Sequence, residues 1–157
     1  MLRKLYLSLI YPYIIYGVEV WGASSRTKLG RLTGLMDRCV RLLGGGGAVD
    51  DGMYRRLGLL RFAGVYEYFC LLRTFKYRRL SMAQHFESQY CSNSIGHNIL
   101  TRSNINGGIN MPVVHLTKYL NSFFVNSFKF WNKVPYNVKT SFNLHSFKSF
   151  IRDLLLV

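Results

Sequence analysis

Apolar residues recur at three- and four-residue spacing in several separate stretches, which predicts a mainly α-helical chain of five or six helices with no central sheet. The clearest pair lies late in the chain. Leu116, Leu120, Phe123 or Phe124, Ser127 and Trp131 share one face of a helix that Pro135 closes, because proline lacks the amide proton and restricts the residue before it. A second helix is expected from about Asn143, with Leu144, Phe147, Ile151 and Leu154 on one stripe and Lys148 and Arg152 off it. Trp131 then becomes the apolar wedge of a terminal hairpin, and its indole nitrogen requires a partner once buried.

Earlier, Leu5 to Val18 is an uncharged run of 14 residues behind Arg3 and Lys4. It falls short of the roughly 20 needed to span a bilayer. Its tyrosines, and a cleavage-like Gly22-Ala23-Ser24 that follows a tryptophan, fit a secretory signal poorly; a buried helix kinked at Pro12 is expected, with Gly17 admitting another backbone. Ser24, Ser25 and Thr27 are candidate caps for the cleanest helix, which runs to about Leu43. Leu29, Leu32, Leu35, Met36, Cys39, Val40 and Leu43 form its apolar stripe, and Lys28, Arg31, Arg38 and Arg41 lie within about 140° of arc on the other side. Four glycines, Gly44 to Gly47, end it. A short helix follows, capped by Asp50 or Asp51 and ending near Leu57-Gly58. Phe62 to Leu80 is the next helical span, with Phe62, Val65, Phe69 and Leu72 inward, widened by Tyr68, Leu71 and Phe75; Arg73, Lys76, Arg78 and Arg79 crowd its last turns, where cations complement the helix dipole. From Ser81 the periodicity fails, and Ser, Asn and Gly crowd residues 92–110, so a long loop with a turn at Gly107-Gly108 is expected.

The fold class is thus an irregular multi-helix fragment divided into a basic helical region at 1–80, a loop or linker at 81–115 and a helical hairpin at 116–157. Charge sharpens this picture. Lys and Arg number 21 against 7 Asp and Glu, a formal +14, which points to a polyanionic partner, nucleic acid ahead of an anionic membrane. The positive charge is spread: residues 1–80 carry 14 basic and 5 acidic side chains, residues 81–157 carry 7 and 2. A basic ridge backed by a core face can lie along a phosphate backbone, so Lys28, Arg31, Arg38 and Arg41, with Arg73, Lys76, Arg78 and Arg79, are the candidate nucleic-acid contacts. The competing reading is a solvated face on a structural or protein-interaction module; a membrane-surface helix at Arg3-Lys4 is a third.

Catalytic chemistry finds little support. His85, His97, His115 and His145 have no metal-ligand spacing, Cys39, Cys70 and Cys91 form no Cys-x-x-Cys, and Cys91 with His97 supplies at most half a zinc site. Asp50-Asp51 lacks the third carboxylate and the hairpin that two-metal chemistry requires. The three cysteines without a disulfide framework favour a reducing, intracellular compartment, cytoplasm or nucleus.

Several motifs in order resemble one family. The opening LYLSLIYPYIIYGVEVWG, with Tyr16-Gly17 and Trp21-Gly22, is similar to the segment that follows the polymerase palm in the reverse transcriptases of non-LTR retrotransposons, the LINE or jockey-like elements. Leu29, Leu32 and Arg38-Cys39-Val40-Arg41-Leu42-Leu43-Gly44 resemble the family's next helix; Tyr54 and LGLLRF at 57–62 resemble the short helix and turn after it. His97, Asn98, Thr101 and Arg102 match a His-x-Asn-Thr-Arg motif with Ile99 and Leu100 inserted. SFKFWNKVP at 127–135 and LHSFKSFIRDLL at 144–155 resemble the terminal Trp-Asn-x-x-Pro and Phe-Lys helix pair. The resemblance implies the carboxy-terminal part of an RNA-directed DNA polymerase, usually joined to an endonuclease, whose Tyr- or Phe-x-Asp-Asp motif and magnesium belong upstream. Ala48-Val49-Asp50-Asp51 has alanine at the aromatic position and is not that motif, and no cysteine- and histidine-rich knuckle is present. The expectation is a truncated, non-catalytic tail without a cofactor of its own, contacting RNA or DNA phosphates and packing on the upstream polymerase region. Trp21, Trp131, Asn132, Pro135 and Phe147 are its expected structural residues.

Overall fold

A computed structural model describes residues 1–80, 106–109, 111, 116–140 and 143–156, and these are mainly helical with no strand among them. The chain divides into two compact units, Met1–Tyr66 with Asp153–Val157, and Glu67–Arg152. The expected loop at 81–115 lies outside the described residues apart from 106–109 and 111, as do its His97, Asn98, Thr101 and Arg102.

The first unit opens with a helical run that changes register: α1 (Leu2–Leu5), a π-helical turn (Tyr6–Ile10) and α2 (Tyr11–Ile15). Pro12 sits in the first turn of α2, where its missing amide proton costs least; the wider π turn before it absorbs the broken ladder that a simple kink was expected to take up. The run is not a buried helix. Tyr6 and Ile14 are buried, while Leu2, Leu5, Leu9, Ile10 and Tyr13 are exposed. Gly17 adopts φ +63 between α2 and α3 (Val18–Trp21), so its need is conformational. The close approach falls instead at Gly22, where a Cβ would overlap the Tyr66 ring. Trp21 stacks on Phe62 at 5.5 Å and donates its indole N–H to the Tyr16 carbonyl at 2.7 Å.

Helix α4 (Arg26–Leu43) begins at Ser25, whose hydroxyl makes no capping bond, and stops at Gly44. Of its expected core stripe only Met36 and Val40 are buried; Leu29, Leu32, Cys39 and Leu43 are partly covered, and Leu35 is exposed. Helix α5 (Asp51–Leu57) is capped as expected, with Asp50 Oδ1 accepting from the Met53 amide at 2.7 Å and Gly58 closing it at φ +61. The Tyr54 hydroxyl donates to Asp37 Oδ1 at 2.8 Å, tying α5 to α4, and Arg3 Nε donates to the Leu57 carbonyl at 2.8 Å.

Helix α6 (Phe62–Leu80) gives its first residues to this unit and the rest to the second. Val65, Tyr66, Cys70, Leu71, Leu72, Thr74 and Phe75 are buried around most of its circumference, whereas Phe69 is only partly covered; a helix apolar on all sides is an interior helix. In the second unit Phe75 stacks on Phe147 at 4.2 Å, and Trp131 packs against Phe147 at 6.0 Å. The expected helix through Leu116 breaks: α7 (Thr117–Leu120) ends at Asn121, and Ser122 starts α8 (Phe123–Lys133) by accepting from the Val125 amide at 3.4 Å. Leu116 and Leu120 are accordingly exposed and not core. Pro135 closes α8 and heads a further turn, α9 (Tyr136–Lys139); α10 (Leu144–Leu156) follows, with Asn143 Oδ1 accepting from the Ser146 amide at 2.7 Å. Phe147 and Ile151 are buried and Lys148 and Arg152 exposed, as the stripe requires, but Leu154 is exposed.

Candidate nucleic-acid interface

On α4 the side chains of Lys28, Arg31, Arg38 and Arg41 are all exposed. They share the arc of about 140° that the helical repeat of 3.6 residues dictates. Asp37 is the one acid on this helix, and its carboxylate accepts from Tyr54. Burial first, and this bond to Asp37 second, push the Tyr54 phenol well above its ordinary range, so the pair holds its proton on the tyrosine. None of the four cations meets an acidic side chain among the described residues. The result is a ridge of hydrated, unneutralised charge on a rigid helix of 18 residues, which is the chemistry that neutralises phosphates without reading bases.

The basic cluster at the end of α6 is different in kind. Arg78 Nη1 donates to the Gly107 carbonyl at 3.1 Å and lies 3.5 Å from that of Gly108, while its guanidinium stands 5.6 Å from the centre of the Trp131 ring. Arg73 lies over the Tyr77 ring at 5.8 Å. Lys76 is half-exposed, and the side chain of Arg79 lies outside those described. Arg78 is thus a structural donor before it is anything else.

It belongs to a polar cradle around residues 106–109. Trp131 Nε1 donates to the Gly107 carbonyl at 2.9 Å, which supplies the partner its burial demands. Asn132 accepts from the Ile109 amide and donates to the Ile109 carbonyl, both at 2.8 Å, so one side-chain amide satisfies both backbone groups of a buried residue. Lys139 is buried and reaches the Asn106 carbonyl at 3.4 Å; burial, and then the Arg78 charge, lower its pKa. Lys139 was not singled out by the sequence, where it reads as one more exposed cation. Its partners lie 33 residues away, beyond any local pattern.

Asp50 is committed to its cap and Asp51 to an ion pair with Arg61 at 2.7 Å. No group of three His, Cys, Asp or Glu able to hold a metal occurs among the described residues. His145 is exposed on α10; His85, His97, His115 and Cys91 lie outside the described residues, and Cys39 and Cys70 are thiols outside any disulfide. No described helix is long and apolar enough to cross a membrane. No family model, curated protein or solved structure matches this chain.

Proposed function

We propose that the chain is a non-catalytic, nucleic-acid-contacting module of the kind found after the polymerase in non-LTR retrotransposon reverse transcriptases, binding RNA or DNA through phosphates and packing on the polymerase region. The observation that carries the first half is the ridge of Lys28, Arg31, Arg38 and Arg41, exposed together on α4 while the helix's one acid is turned to Tyr54. The ordered resemblance from Trp21-Gly22 to Trp131-Asn132 supports the second half. Asp50 capping a helix and Asp51 pairing with Arg61 support reading these two acids as structural and not as a metal-holding pair.

The test is titration of the full chain against labelled RNA and duplex DNA over a range of salt. Each phosphate contact contributes about 0.9 to the slope of log affinity against log salt on duplex DNA. Changing Lys28, Arg31, Arg38 and Arg41 together to Gln is expected to lower that slope by about 3 to 4 and to weaken binding to all sequences alike. Unchanged affinity and slope in a folded quadruple variant would refute the assignment of this surface, and absence of binding at low salt would refute the phosphate-contact reading as a whole.

A further inference from the structure

We propose that the groove between the N-terminal helical run and α4 is a docking site for an acidic amphipathic helix of a partner protein. Two adjoining cavities, about 440 and about 180 Å³, share Leu9, Ile10 and Cys39 in their walls and so form one apolar channel. Its lining contains no charged residue; Tyr6, Ile14 and Met36 in it are buried, but Leu9 is 61% exposed, Leu35 54% and Leu42 73%. Soluble chains seldom leave contiguous apolar surface of this kind uncovered unless it receives something.

What it receives follows from its rim. Arg31, Leu35, Arg38 and Leu42 are spaced by four, three and four residues, which places them on one row of α4 within about 60° of arc. Leucines that line the channel therefore alternate with exposed arginines along its edge. Asp37 lies on another face and is held by Tyr54, so the edge is uniformly cationic. A helix laid in the channel with apolar residues at i, i+3, i+4 and i+7 fills it, and Asp or Glu on its flank meets Arg31 and Arg38; a basic helix would be repelled by the same row. From Leu32 to Leu43 α4 rises about 16 Å, so the site accommodates about three turns.

The channel lining contains none of the four cations assigned to nucleic acid, although its edge shares Arg31 and Arg38 with that surface, so substitutions in the lining separate the two. The probe is a labelled peptide of about 14 residues with leucines at those spacings and glutamates flanking them, and its counterpart with lysines for glutamates. The full chain is expected to bind the glutamate peptide saturably and the lysine peptide at least about tenfold more weakly. A Leu9→Gln, Leu35→Gln variant, changed only at exposed positions and neutral beside Arg31 and Arg38, should lose the glutamate peptide while keeping RNA affinity. Arg31→Glu with Arg38→Glu should reverse the preference, a gain for the lysine peptide that neither misfolding nor loss of RNA binding can produce. Equal binding of the two peptides, no binding of either, or no reversal would overturn the proposal. So would self-association of the chain or capture by anionic vesicles, if the Leu9 and Leu35 substitutions abolish it, because the occupant would then be a second copy or a membrane.

Discussion

Asn132 is the residue on which the cradle's account of Trp131-Asn132 can be broken most cleanly. Changing Asn132→Ala removes two hydrogen bonds of 2.8 Å and leaves the amide and carbonyl of Ile109, itself 2% exposed, without their partner. A net hydrogen bond contributes about 0.5 to 1.5 kcal/mol, and an abandoned buried polar group costs about 1 to 3. Asn132 itself faces solvent, so water enters part of the vacated space and the lower ends of those ranges apply. The expected loss is about 2 kcal/mol, or a fall of about 4 to 8 °C in Tm for a chain of this size. Urea denaturation measures the first number, and amide exchange should show Ile109 losing protection. Asn132→Asp adds a sign. As a carboxylate it still accepts from the Ile109 amide but presents a second oxygen to the Ile109 carbonyl; as a neutral acid it has the O–H donor that restores both bonds. Its folded pKa must then rise above the unfolded value of about 3.9. The penalty is full above the folded pKa and shrinks as pH falls through it, so this variant should gain on the wild type as pH falls. A cost of Asn132→Ala below about 0.5 kcal/mol with Ile109 exchange unchanged, or an Asn132→Asp difference that does not move with pH, refutes the two-point clamp.

Two further expectations rest on buried polar groups. Burial raises the pKa of Glu67 despite the opposing charge of Lys133, so its ionised form opposes folding above the folded pKa and ceases to do so as pH falls toward the unfolded value. Glu67→Gln should therefore stabilise the chain at neutral pH and show no difference at pH values below the ordinary glutamate range; denaturation at both pH values checks it, and a loss of stability at neutral pH would refute it. Ser127 is fully buried and its hydroxyl has no hydrogen-bond partner among the described residues, so Ser127→Ala should raise stability by about 1 kcal/mol in a urea titration, and a clear destabilisation would refute this account.

The sequence is most legible where the physics is local. The extent of α4 and α6, a cap at Asp50 or Asp51, the helix end near Leu57-Gly58 and the stop at Pro135 all depend on residues close in sequence, and the structure has them, with Asp50 as the cap and Gly58 left-handed. The misses are competitions that spacing alone does not decide. Ser122 caps a new helix where the periodicity of Leu116, Leu120 and Phe123 runs on unbroken. Tyr6–Ile10 widens to a π turn because Pro12 withdraws a donor that an apolar pattern does not count. Burial itself is tertiary: Leu35 and Val40 are alike in the pattern, yet one faces the open channel and the other is fully enclosed.

The same distinction governs the candidate site and decides which substitutions can test it. Lys28, Arg31, Arg38 and Arg41 are visible in the sequence because an exposed helix face is defined by its own repeat and by what the opposite face buries. Arg73, Lys76, Arg78 and Arg79 form an equally basic string, but α6 is interior, and a guanidinium on an interior helix finds carbonyls and aromatic rings before it finds solvent. Arg78 finds Gly107, 29 residues along the chain, and the ring of Trp131. Replacing Arg78 removes a charge-assisted hydrogen bond near the Trp131 contact and lowers stability, so any loss of RNA binding that follows reports on folding and on charge together. Replacing the α4 cations removes only hydrated charge, for which effects on stability stay within about 0.5 kcal/mol. A fall in salt slope with Tm unchanged is therefore the signature that assigns phosphate contacts to α4, whereas substitution at Arg78 should lower Tm and move the slope by at most about 1.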